Sequence, residues 1–224
     1  VTALGYLQRP VLAWREITAA DIAAVHALHL AATEVVGRPD LIRPESRSFF
    51  EKIVAAAGKI IGVFDETGLR AYGVLQWDLS FEEDPYGPLG LGPGDGLAKL
   101  AGTAVRPSAW GQGLHRQLIA WRIIEARRLG FRHLYATSAP GNARSWTNLM
   151  DEGFRVRAVK EQYGGHLRYL LARPVDKQAD ADTNGDWCEV ADIGRQRDLI
   201  ASGREGAAWR AGKDGHAILY VPRP

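Results

Sequence analysis

The chain has 224 residues, of which 46% are hydrophobic and 24% charged, a balance that sets aside the disordered and fibrous classes. Its 28 basic and 26 acidic residues give a formal net charge of +2 and are spread along the whole length, so there is no electrostatic footprint for nucleic acid. The one cysteine, Cys188, cannot close an internal disulfide, and no apolar run has signal-peptide or membrane-span length, so a cytoplasmic protein with no membrane partner is expected.

Val11 to Glu16 reads as a strand, and Thr18 with Asp21 as a capping pair for an amphipathic helix that runs to about Glu34. Pro44 and Glu45 open a second helix with Phe49, Phe50, Ile53 and Val54 inward, ended by Gly58. Two β-rich runs, KIIGVF and AYGVLQWDLS, flank a hairpin turn at Asp65 to Gly68. Residues 80–96 are rich in glycine and proline and read as one long functional loop. A strand from Leu97 to Val105 leads through Pro107 and Gly111-Gln112-Gly113 into a helix carrying Leu114, Leu118, Trp121 and Ile124, closed by Gly130. The β-rich run FRHLYATSAP, a short helix from Ala143 to Glu152, and the strands FRVRAVKEQY and HLRYLLARP follow. Val175 to Asp186 turns polar and reads as a linker. Beyond it lie a strand near Trp187 to Val190, a helix through Leu199 and Ile200, and a closing strand, HAILYVP, a piece too small to fold alone.

The segment from Leu97 to Phe131 carries the chemistry. At the first turn of a helix the backbone N–H groups lack internal partners and the helix dipole favours negative charge, so a pyrophosphate can bind there. Glycine at Gly111 and Gly113 lets phosphate oxygens approach the amides and permits positive φ.

The order of these features resembles motif A of the GNAT superfamily of acyltransferases. Val105-Arg106-Pro107 matches that family's strand end, Gly111-Gln112-Gly113-Leu114 its phosphate turn, and Asn142, Ser145, Gly153 and Phe154 its later helix and strand. The likeness covers about residues 11–174. It implies an α/β fold, a mixed sheet flanked by helices, for an acyltransferase domain over 1–174, and leaves the rest unexplained. There the sequence itself reads as a linker with a strand, helix and strand extension, 175–224, that packs on the main body or on a dimer mate.

The resemblance also implies acetyl-CoA or another acyl-CoA as co-substrate, no metal, and a small-molecule or peptide amine as acceptor, attacked directly without a covalent acyl-enzyme. Coenzyme A would be held by Thr103, Ala104, Val105, Trp110, Gly111, Gln112, Gly113, Leu114, His115, Asn142 and Ser145. Three positions depart from the family pattern. Trp110 stands where Arg or Gln is usual, His115 where Gly or Ala is usual, and Leu149 where many members carry a Tyr acid. The chain resembles instead the N-x-x-S subset, in which the serine, here Ser145, faces the thiolate. No carboxylate lies on the strand from Ala98 to Val105, so the base is sought among Asp78, Glu82, Glu83, Asp84 and Glu161, of which the resembling subset favours Glu161. The acids at 82 to 84 read alternatively as a collar that attracts a cationic amine, with Asp78, Glu82 and Glu83 toward the substrate, or as a solvated loop tip. The alternative is a coenzyme A-binding sensor or assembly module without turnover.

Overall fold

The computed structural model describes residues 11–80, 82–176, 184–212 and 215–224. Within them the chain forms β1 (Ala13–Glu16), α1 (Ile22–Val36), α2 (Arg47–Lys52), β2 (Gly58–Asp65), β3 (Gly68–Gln76), α3 (Tyr86–Leu89), β4 (Leu97–Val105), α4 (Leu114–Arg128) and β5 (His133–Ser138). It continues through α5 (Ala143–Asp151), β6 (Arg155–Gln162), β7 (His166–Pro174), β8 (Asp186–Glu189), α6 (Ile193–Ala201), β9 (Arg204–Gly212) and β10 (Gly215–Pro222). All ten strands join one sheet in the order β1-β2-β3-β4-β5-β7-β6-β9-β10-β8.

Period-two alternation divides the side chains between two faces. Ile60, Tyr72 and Val74 pack with Val25 and Leu28 of α1 and Phe50 of α2. Ile61, Val63 and Ala71 face α4 through Leu114 and Leu118. Ala19–Val36 is long and apolar enough, by length and composition alone, to cross a membrane. The fold uses it as a core helix that buries Ile22, Val25 and Leu28.

Every neighbouring pair in the sheet is antiparallel except β4 and β5, which α4 connects as a crossover. That parallel pairing covers only Leu97–Lys99 against His133–Tyr135. Past Lys99 the two strands part, and β4 shifts register against β3 between Gly73 and Leu75. Three steps on β4 there oppose two on β3, which is a bulge that bends β4 away. The fork leaves one edge of β4 without a strand partner among the described residues.

Four expectations change. The second helix begins at Arg47, not Pro44, because the Ser46 hydroxyl accepts the Phe49 N–H at 3.2 Å and so sets the N-cap there; Arg43 to Glu45 stay in the preceding loop. The long loop holds two helical turns, a 3-10 turn at Pro93–Asp95 and α3, the latter started by Asp84, whose Oδ1 accepts the Tyr86 N–H at 2.8 Å. β9 was not expected, since its small residues show no alternation; its pairing with β10 creates it. Of the expected linker, Val175 is fully buried in the main core, Asp186 opens β8, and residues 177–183 lie outside the described residues.

The C-terminal piece is continuous with the sheet. β9 meets β6 at Val156 and Gly206, and Cys188, Ile218 and Tyr220 join the core built on Trp146, Tyr169 and Leu171.

Candidate functional site

The fork opens into a cleft of about 760 Å³ walled by β4, the start of α4, β5, α5 and the loop after α1. A second chamber of about 530 Å³ adjoins it and shares Arg43, Glu45, Lys99 and Tyr163. The site therefore has an outer half at the α4 N-terminus and an inner half at the fork.

In the outer half, Gly111 and Gly113 hold φ of 79° and 75°, a left-handed backbone that favours glycine, and bring the α4 N-terminus to the cleft wall. The Trp110 indole donates to the Val105 carbonyl at 2.8 Å, which fastens this turn to the end of β4. Arg144 of α5 stacks over the Trp110 ring at 4.7 Å, so a guanidinium does reach the position where the sequence offered none. His115 lines the cleft rather than facing solvent, and burial lowers its pKa to about 3. Asn148 Nδ2 donates to its Nδ1 at 3.1 Å, so the proton of this neutral imidazole sits on Nε2.

The expected binding residues Thr103, Ala104, Val105, Trp110, Gly111, Gly113, Leu114, His115, Asn142 and Ser145 are brought together on this wall. Gln112 is not. It is exposed, with its amide 3.5 Å from the Ser108 carbonyl. The Ser145 hydroxyl makes no hydrogen bond among the described residues, and so is free to donate into the cleft.

The inner half is built from residues that motif reading missed. Tyr163 sits in the turn between β6 and β7 at φ 54°, an uncommon conformation for a side-chain-bearing residue. Its hydroxyl lies 3.3 Å from Lys99 Nζ and 3.4 Å from Thr137 Oγ1, which places it between β4 and β5 at the fork. Glu45 is held at the other side. Its backbone N–H donates to His29 Nε2 at 2.8 Å, and His29 Nδ1 lies 2.8 Å from the Tyr72 hydroxyl. Since Nε2 must accept, Nδ1 carries the proton of this imidazole, whose pKa burial lowers to about 4. Burial raises the Glu45 carboxyl pKa above its usual range, against the partial opposing pull of Arg43 and Lys99.

Arg122, 1% exposed, reaches from α4 to the bulge. Its Nε donates to the Leu118 carbonyl at 2.9 Å, and its Nη1 to the Val74 and Ala101 carbonyls at 3.3 and 3.4 Å. Desolvation lowers its pKa to about 9. Gly73 makes room for it, since a Cβ there would stand 3.1 Å from Nε.

The expected acids lie elsewhere or are already engaged. Glu161 is exposed on β6 and outside both cavities, on the face opposite the buried Gln162; Tyr163 reaches the fork because it lies past the strand end, where φ 54° takes it out of the alternation. Asp78 also lies outside them and caps a turn, accepting the Ser80 N–H at 3.0 Å. Glu82 and Glu83 line the second chamber but bind inward. Glu82 pairs with the buried Lys99 at 2.5 Å, and Glu83 accepts the Tyr163 N–H at 3.1 Å. Together they hold the Lys99 and Tyr163 pair in place.

A family model for the acetyltransferase (GNAT) family matches residues 33–149. The chain belongs to the GNAT acetyltransferase family. That match spans the loop carrying Glu45, the fork, the α4 turn and α5, but ends before Tyr163 and the C-terminal strands. Solved GNAT structures superimpose on about three quarters of the chain. The ribosomal-protein-S18-alanine N-acetyltransferase of Escherichia coli aligns over 78% of this chain and 100% of its own, with a TM-score of 0.58 at 17% identity. The phosphinothricin acetyltransferase of Sinorhizobium meliloti, solved in complex with acetyl-CoA, aligns over 77% of this chain and 95% of its own, with a TM-score of 0.56 at 17% identity. At such identities the likeness shows the GNAT fold alone. No curated protein matches the sequence.

Proposed function

We propose that the chain transfers an acetyl group from acetyl-CoA to an amine by direct attack, in the cleft between β4 and β5. The observation that carries this reading is the fork, because it joins the start of α4 to a half-buried carboxylate, Glu45, through one continuous cavity.

The residues fit the co-substrate. The α4 N-terminus with Gly111 and Gly113 would take the pyrophosphate, aided by Arg144 and by His115 as a neutral donor. The unpaired edge of β4 at Thr103 to Val105 would align the pantetheine arm by strand-like pairing. When bound, acetyl-CoA supplies a thioester whose carbonyl carbon is the electrophile.

Glu45 holds the place of the base. A carboxylate whose pKa is raised by burial takes a proton from an ammonium acceptor more readily than an ordinary one. Tyr163, kept beside the Lys99 ammonium, and Ser145, on the α5 wall, are the hydroxyls that face the departing thiolate. Arg122 fixes the bulge by binding the Ala101 carbonyl, and so holds the shape of β4 at the reacting end.

The test is to incubate the protein with acetyl-CoA and a mixed panel of amines, following free thiol and acetylated product by mass. Sustained thiol release with an acetylated amine is expected. Tight binding of acetyl-CoA with no release in the presence of any amine would show a binding module.

A further inference from the structure

Two guanidinium groups in the inner half have no task in the reaction just described. Arg168 of β7 lines the cleft and is only 4% exposed. Its Nη1 donates to the Asp40 and Leu167 carbonyls at 2.6 and 2.8 Å, while its Nη2 is buried with no hydrogen-bond partner. Arg43, in the loop that carries Glu45, lines both cavities, and its guanidinium makes no hydrogen bond or ion pair among the described residues. The two converge on one ring, with Arg43 over Tyr163 at 4.9 Å and Arg168 at 5.9 Å.

No carboxylate is bound to either guanidinium among the described residues, although Glu45 feels the charge of Arg43 and Arg168 that of Asp40. Asp40 gives Arg168 only its backbone carbonyl, since its side chain is chelated by Arg38 at 2.8 and 2.7 Å. Glu82 is taken by Lys99, and Glu83 by the Tyr163 backbone. A buried guanidinium with an orphaned nitrogen is costly unless an anion completes it. The planar donors of paired arginines match the two oxygens of a carboxylate, the anion that an amino acid carries beside its amine.

We infer that the acceptor is an amine that bears its own carboxylate, a free amino acid in chemical class, with Arg43 and Arg168 binding the carboxylate above the Tyr163 ring while the amine is presented to Glu45. This rests on the acetyl-transfer reading and adds the substrate class to it. Arg43, Arg168 and Glu45 line the same cleft, so a zwitterion meets charges of both signs there.

The protein saturated with coenzyme A is titrated by calorimetry with free amino acids and with their carboxamides, and the same pairs are offered with acetyl-CoA while acetylated product is followed by mass. At least one amino acid should bind and be acetylated, with kcat/KM tenfold or more above its carboxamide. Arg43→Gln and Arg168→Lys should each bring that ratio towards one, chiefly by raising KM for the acid. A wild-type protein that binds or acetylates carboxamides or simple amines as well as the acids would overturn the inference and leave acetyl transfer standing. So would variants that slow acid and amide equally, because a purely structural guanidinium keeps the ratio. Failure to bind acetyl-CoA at all would instead remove the reading beneath it. Arg43 lies on the surface, so its variant keeps the test decisive even if Arg168→Lys does not fold.

Discussion

The Tyr163 hydroxyl lies 3.3 Å from Lys99 Nζ, at the last paired residue before β4 and β5 part. An ammonium at that distance stabilises a phenolate that has just given up its proton, which is the charge an acid catalyst must carry after transfer. Tyr163→Phe keeps the ring beneath Arg43 and removes only the hydroxyl. It should lower kcat on the order of 100-fold, as expected for loss of a positioned acid, with little change in KM for acetyl-CoA. Ser145→Ala should cost less. Steady-state kinetics on the two variants and the double variant measure how the hydroxyls divide the task.

Glu45 sets the pH dependence. Its pKa is raised by burial, so on acidification it takes up a proton at a higher pH than a free carboxyl does. A base must be unprotonated to act. Hence kcat/KM should rise with pH through a limb displaced upward from the ordinary carboxylate range, and Glu45→Gln should flatten that limb and lower the rate. Glu161→Gln, on the exposed face of β6, should leave the profile as it is. A pH–rate profile for each protein checks both statements.

The two halves of the site differ in how far the sequence reveals them. The outer half is local: Val105, Gly111 and Gly113 sit within nine residues, and their chemistry depends on a turn that glycine spacing announces. The inner half is assembled by topology. Glu45, Lys99, Tyr163 and Arg168 come from a loop, a central strand, a hairpin turn and another strand, and nothing in their spacing links them. Tyr163 had one readable sign, the following Gly164-Gly165, which marks a turn and takes the tyrosine out of strand alternation. Glu161, still within β6, was the carboxylate that pattern reading reached, and the strand's pleat points it outward. The acids at 82 and 83 read as free to attract an acceptor because their partners, Lys99 and the Tyr163 amide, are 17 and 80 residues away.

Gly113 and Arg144 test the phosphate end. At φ 75° an alanine is strained by about 1 kcal/mol although space exists for its Cβ, whose nearest neighbour would be Gln117 Nε2 at 3.8 Å. Gly113→Ala should therefore lower Tm by about 2–4 °C and, by crowding the amides at the helix start, raise the acetyl-CoA Kd about tenfold. Arg144→Ala should weaken the same binding and make it less sensitive to salt, because one charge facing the phosphates is gone. Calorimetry at two ionic strengths separates the effects.

The C-terminal strands should prove inseparable from the catalytic body. Gln196 of α6 accepts hydrogen bonds from the hydroxyls of Tyr169 and Tyr220, both at 2.8 Å, so one buried amide oxygen ties β7 to β10. The Trp209 indole donates to Asp151 at 2.9 Å and stands edge-on to Trp146, the fully buried side chain of α5. Glu205, 1% exposed, is 3.0 Å from Arg155 and 2.7 Å from Arg157, the second contact being an ion pair not aligned as a hydrogen bond. Ending the chain at residue 176 would uncover Trp146, Tyr169 and the β6 edge at Val156, an apolar face beside an unpaired strand. The shortened protein should aggregate or melt well below the full chain. Glu205→Ala is the milder form of the test. It leaves Arg155 and Arg157 without this carboxylate in a buried setting and should cost about 3–5 kcal/mol, read by urea unfolding at neutral pH. A full-length Glu205→Ala protein as stable as the wild type, together with a soluble and equally heat-stable truncation, would make the extension an appendage. Because α5 carries both Ser145 on the cleft wall and Trp146 against Trp209, loosening the extension should also raise KM for acetyl-CoA before the protein unfolds.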